Sequence, residues 1–115
     1  MEPQIQFIKN IKENTLPLIK LTKSRNGKTG TATFIFIKPQ VFANIIDDNK
    51  LIQSMLLMWD NKNIETNDLT IFFKDGVPFI IKAILIFKNS KEWFNFLHFM
   101  NYYSKETGLS FTEKN

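Results

Sequence analysis

Apolar and polar residues alternate with a period of two over most of the chain, the spacing of strands that turn one face to a core. Gln4 to Ile8 reads as a short strand, and Leu18 to Lys23 as a second, with Ile19 and Leu21 on one face. Ser24 to Gly30 is a turn, because Asn26-Gly27 supplies the positive φ that a tight hairpin requires. Thr31 to Ile37 follows as a strand with Ala32, Phe34 and Phe36 on one face, and Pro39 ends it because proline donates nothing to a ladder. Gln40 to Lys50 has no clear period and accommodates a helical turn or a loop. Gln53 to Trp59 is a strand, Asp60 to Asn63 a turn, and Glu65 to Lys74 the next strand. Asp75-Gly76 is the clearest hairpin signal. Beyond it, Val77 to Lys88 sets Phe79, Ile81, Ala83, Leu85 and Phe87 on one face and mostly apolar residues on the other, which predicts a central strand.

After this strand the period changes to 3.6. Ser90 is the expected N-cap and Glu92 places acid in the first turn, where it suits the helix dipole. Trp93, Phe96, Leu97, Met100 and Tyr103 form one stripe, and Gly108 stops the helix as a left-handed cap. The tail is expected to be loose beyond Phe111. These elements predict an α+β fold: an antiparallel β-sheet or sandwich with one C-terminal α-helix, with residues 1–115 forming a single domain.

Composition narrows the function classes. There is no cysteine and one histidine, which excludes disulfides, Cys–His pairs and zinc triads. The longest apolar stretch, Val77 to Phe87, is interrupted by Lys82 and falls well short of the roughly twenty residues of a membrane-spanning helix. The start of the chain lacks the basic and apolar regions of a signal peptide and the Arg/Ser-rich opening of a transit peptide. Net charge is +4, and Lys supplies all the basic residues except Arg25. Ile, Lys, Asn and Phe make up nearly half of the chain, the mark of an AT-rich genome, so part of the lysine content reflects codon usage.

Candidate chemistry is sparse. Gly27-Lys28-Thr29 imitates the end of a phosphate-binding loop, but the upstream glycine is replaced by Thr22 and a β-pattern follows where a helix is required. His98 falls opposite Trp93 on the helix and is expected to be exposed. Asp47, Asp48 and Asp60 sit in turn contexts without cation-loop spacing and read as solvated punctuation. Lys20, Lys23, Arg25 and Lys28 form the densest basic patch; without interleaved aromatics it suits an acidic protein surface or headgroup at least as well as a nucleic acid. Phe94 and Tyr102 lie off the core stripe and are candidates for an interface, or for cover by flanking loops.

Two stretches carry a family resemblance. Leu21-Thr22-Lys23-Ser24-Arg25-Asn26-Gly27-Lys28-Thr29-Gly30-Thr31-Ala32-Thr33-Phe34 is similar to a motif of the form LT-basic-SR-x-G-x-x-GTATF. Phe73 to Pro78, then Glu92-Trp93, Phe96, Phe99-Met100, Tyr103 and Gly108 to Phe111, follow in order. The chain thus resembles the photosystem II reaction-centre Psb28 family of small assembly factors. That resemblance implies a non-catalytic protein of photosynthesis, without cofactor or metal. It implies transient docking on photosystem II assembly intermediates, with protection of the acceptor side. The implied partners are the forty-seven-kilodalton core antenna protein, the reaction-centre subunits and the cytochrome b subunits, and no nucleic acid. The implied location is the thylakoid membrane of a plastid, peripheral on the stromal side, or the cytosolic side in a cyanobacterium. Lys23, Ser24, Arg25, Gly27, Gly30 and Thr31 are the motif positions expected at a partner surface, and Phe94 and Tyr102 on the helix are read separately as further contacts; a small basic nucleic-acid-binding module is the alternative.

Overall fold

The computed structural model describes residues 2–44, 52–110 and 112–114. The elements run β1 (Gln4–Ile8), β2 (Ile11–Glu13), β3 (Leu18–Lys23), β4 (Gly30–Ile37), α1 (Val41–Asn44), β5 (Met55–Trp59), β6 (Lys62–Thr66), β7 (Leu69–Lys74), β8 (Val77–Phe87), α2 (Ser90–Thr107) and β9 (Thr112–Lys114). Two sheets result, one ordered β2-β1-β5-β6 and the other β7-β8-β4-β3-β9. The α+β class and the C-terminal helix are as expected. Every pair is antiparallel except β3 with β9, where Lys20 stands beside Thr112. β8 is central in its sheet, between β7 and β4.

Tight turns set the registers. Asp75 (φ 53°) and Gly76 (φ 79°) are both left-handed, the geometry of the mirror-image hairpin turn that matches strand twist. Asp60 (φ 43°) and Asn61 (φ 63°) make the same kind of turn, so β6 begins at Lys62, inside the segment expected to be loop. The β5–β6 pairing is closed by Trp59 opposite Lys62.

Both sheets and the helix share one core. Ile5, Phe7, Met55, Leu57 and Trp59 come from the first sheet. Leu21, Ala32, Phe34, Phe36, Ile81, Ala83, Leu85 and Phe87 come from the second. Aromatic contacts join the layers: Phe7 meets Phe36 edge-on at 4.9 Å, Phe34 meets Phe96 at 6.0 Å, and Trp59 meets Phe99 at 5.4 Å. Offset and T-shaped rings pack a wide core at native density without face-to-face repulsion. A buried carboxylate pins the connection after β4: Glu13 is 3% exposed and accepts from the backbone N–H groups of Thr15, Gln40 and Val41 at 2.8–3.0 Å.

Five expectations are corrected. The segment expected as one strand, Glu65 to Lys74, is divided between two sheets, β6 in one and β7 in the other. Thr66 makes the break: its hydroxyl donates to the Ile84 carbonyl at 2.7 Å and accepts from the Asp68 N–H at 3.1 Å, a local turn that competes with the ladder. The helix is capped by Asn89, not Ser90; the Asn89 side chain accepts from the Glu92 N–H at 2.9 Å, while the Glu92 carboxylate accepts from the Lys88 N–H at 2.8 Å. The buried stripe contains Phe99, and Leu97 is only half-buried at its margin. Ile11–Glu13 is an additional strand whose three residues are too few to show a period. Finally, residues 112–114 do not hang free but add β9 to the second sheet.

Candidate docking surface

The basic hairpin between β3 and β4 holds itself in shape. Ser24 N–H donates to the Thr29 carbonyl at 3.0 Å, and Gly27 N–H to the Ser24 carbonyl at 3.0 Å. Asn26 Oδ1 accepts from the Ser24 hydroxyl at 2.6 Å and the Lys28 N–H at 2.9 Å, and Ser24 Oγ accepts from the Thr29 N–H at 3.2 Å. Gly27 sits at φ 70°, a conformation that suits glycine. Ser24, Asn26 and Gly27 therefore spend their polar groups on the turn. Arg25 and Lys28 stay exposed, and Lys23, Ser24, Arg25 and Gly27 line a shallow concavity.

Gly30 answers to a different constraint. Its φ is ordinary, but a Cβ there would lie 2.6 Å from Trp93 Cζ3 and 2.7 Å from Cε3. The helix thus rests an indole on the bare backbone where β4 begins. Trp93 is 1% exposed and also packs against Phe87, with ring centroids 5.4 Å apart. Thr31 stands between Thr22 of β3 and Ile86 of β8, half-buried on the sheet face away from the core. The motif positions are thus brought together at one end of the second sheet, with Arg25 exposed at the turn, Thr31 on the outer face, Lys23 half-buried, and the two glycines shaping the backbone.

On α2, Phe94 is 64% and Tyr102 42% exposed, so neither is covered by a loop among the described residues. They are not one patch: eight residues on a helix are about 12 Å along its axis. Tyr102 instead packs edge-on to His98, with ring centroids 5.0 Å apart. His98 is exposed as expected, yet it is engaged: its Nδ1 accepts from the indole N–H of buried Trp59 at 3.2 Å, which ties the helix to β5. Asp60 lies in the β5–β6 turn, and Asp47 and Asp48 lie outside the described residues. Among the described residues no three His, Asp or Glu side chains gather as a metal site, and no helix is long and apolar enough to cross a membrane.

One surface escaped the sequence reading. The β7–β8 hairpin presents Phe72 (46% exposed), Phe73 (65%) and Val77 (62%) at an edge of the second sheet that is free among the described residues. A bulge between Phe72 and Phe73 breaks the alternation that would have buried one of them. The signal was present as two adjacent phenylalanines just before Asp75-Gly76, a position a turn leaves exposed. Lys38 and Lys74 both approach the Phe79 ring at this end, at 5.6 and 5.3 Å from its centroid, and add positive charge beside the apolar edge.

Comparison with known proteins places these features in a family. Residues 5–111 match the family described as Psb28 protein. The chain is 40% identical over 113 residues to the photosystem II reaction center Psb28 protein of Trieres chinensis, covering 98% of each chain. It is 39% identical over 109 residues to the protein of the same name in Pyropia yezoensis, covering 95% of each. The Gloeothece citriformis protein of that name is 39% identical over 110 residues, covering 96% of this chain and 97% of its own.

Proposed function

Since the chain belongs to the Psb28 family, we propose that it is a non-catalytic factor that docks transiently on photosystem II assembly intermediates from the stromal side of a plastid thylakoid, or the cytosolic side in a cyanobacterium. The observation that carries the reading is the family match across nearly the whole chain, with relatives named for photosystem II. The geometry supports docking. The β7 edge carries exposed aromatics and a ladder side that no strand among the described residues pairs, which can accept an extended segment of a partner through backbone hydrogen bonds. The cations at the β3–β4 turn and beside Phe79 steer the approach to an acidic loop. In this reading the partners are the core antenna protein, the reaction-centre subunits and cytochrome b subunits, and occupancy of their exposed face protects the acceptor side until assembly proceeds. Affinity-tagged protein is expected to recover core-antenna-containing intermediates from thylakoids. Recovery of mature dimers alone, or of no photosystem subunit, refutes the reading.

A further inference from the structure

The second sheet has two faces of unlike fate. Its inner face holds Leu21, Phe34, Ile81 and their neighbours against the first sheet and the helix. The outer face is not polar, as a water-facing antiparallel sheet ordinarily is. The registers assemble it in rows. Ile37 stands opposite Ile80, and Ile80 opposite Phe72. Ile35 stands opposite Lys82, Thr33 opposite Ile84, and Thr31 opposite Ile86. Ile86 is 63%, Ile37 47% and Phe72 46% exposed, while Ile35, Ile80 and Ile84 are half-buried in the pleat. No element among the described residues covers them. Their continuity over three strands distinguishes this face from isolated surface apolar residues.

Charge decides what fits. Lys82 sits within the apolar rows and Lys20 beside them, across from Thr33, and neither makes an ion pair among the described residues; the carboxylates stand at the margin, Asp68 where its carbonyl accepts from the Ile84 N–H and Glu65 and Glu92 around Ile86. Two copies pressed face to face would oppose lysine to lysine, which disfavours self-association. A lipid surface fits poorly as well. The apolar side chains are interleaved with threonine hydroxyls, and sinking Lys82 into hydrocarbon would strand its charge. A protein layer answers both difficulties, because a carboxylate among apolar side chains pairs with Lys82 as the isoleucines are covered.

We propose that this outer sheet face, centred on Lys82 and Ile84, is an interface for an amphipathic segment of a partner protein whose apolar side chains flank a carboxylate. The assignment rests on the docking function proposed above and adds the surface and the partner's chemistry. The test measures binding of the full chain to photosystem II assembly intermediates isolated from thylakoids. The same chain is measured on phosphatidylglycerol vesicles, and by sedimentation alone. Lys82→Glu and Ile84→Asn are compared with Lys62→Glu, the same charge change on exposed β6; melting curves establish that each variant is folded. The expected result is binding weakened tenfold or more by Lys82→Glu and Ile84→Asn, unchanged by Lys62→Glu, with no wild-type binding to vesicles. Equal binding by all folded variants overturns the surface assignment and leaves the docking function standing. Absence of wild-type binding to the intermediates removes that function and the assignment with it. Vesicle binding abolished by Lys82→Glu, or a dimer dissolved by Ile84→Asn, identifies a different occupant and overturns the proposal.

Discussion

Replacing Gly30 with alanine tests whether a family motif position serves packing or partner contact. The new Cβ would stand 2.6–2.7 Å from two indole carbons and 3.1 Å from the Thr22 carbonyl oxygen. Comfortable carbon contacts begin near 3.5 Å, so the overlap is about 0.9 Å. The ring has little room to yield: Trp93 is 1% exposed and lies against Phe87 and Phe96. Overpacking of this kind costs about 1–3 kcal/mol. Because Gly30 is not at positive φ, alanine restricts the unfolded chain and returns about 0.4–1 kcal/mol. Taken at the midpoints the net loss is about 1.3 kcal/mol, or a fall in melting temperature of roughly 5 °C for a chain of this size. Urea unfolding followed by far-ultraviolet circular dichroism measures it without relying on indole fluorescence. The loss is expected to shrink in a Trp93→Leu background, where the obstructing ring is gone, giving a favourable coupling energy in the double-mutant cycle. A Gly30→Ala protein as stable as the wild type, or strictly additive effects in the cycle, refutes the packing account. If stability is kept but recovery of photosystem subunits is lost, Gly30 is a contact residue instead.

Two further outcomes follow from buried groups. Glu13→Gln places an amide where a carboxylate accepts three backbone N–H groups, and is expected to cost about 2 kcal/mol and to speed amide exchange at Gln40 and Val41; unchanged exchange there would show that the carboxylate does not anchor this loop. Burial first, and the nearby Glu13 charge second, push the Tyr103 phenol up to about 12 from 10. The unfolded chain therefore loses this proton before the folded one does. Stability is intact below pH 10 and falls by about 2–3 kcal/mol as pH rises through 12. Tyr103→Phe should flatten that part of the pH–stability curve, and an equal slope in both proteins argues against the assignment.

The sequence carried the strong periodicities. β3 and the body of β8 were read at or near their observed limits because alternation and turn residues agreed. It failed where a single side chain or a distant strand decides. Nothing in the spacing of Glu65 to Lys74 reveals that the Thr66 hydroxyl finds the Ile84 carbonyl, and this tertiary bond divides the segment. Asn89 and Ser90 are both good caps, and the choice depends on backbone geometry, with Asn89 extended at φ −156°. β9 is three residues long and exists by virtue of β3. The candidate site was legible as a motif but not as chemistry. A glycine kept for φ, such as Gly27, and a glycine kept for an indole, such as Gly30, look alike in a string. The spacing assigns Phe72 and Phe73 to no face, and the bulge between them leaves both exposed.

The first sheet is drawn from both sides of the second sheet's first hairpin: β1 and β2 precede β3 and β4, while β5 and β6 follow them. During synthesis β1 therefore emerges about fifty residues before β5, the strand that flanks it opposite β2. Until then Ile5 and Phe7 have the short β1–β2 ribbon, which is marginal in water, and whatever the β3–β4 hairpin offers, Phe36 beside Phe7 above all. The helix that closes over both sheets arrives later still. A growing chain thus presents an unfinished edge and two large apolar side chains to its surroundings for nearly half of its translation. A window of vulnerability to aggregation thus opens at the ribosome, in addition to the exposed β7 edge that the finished fold retains.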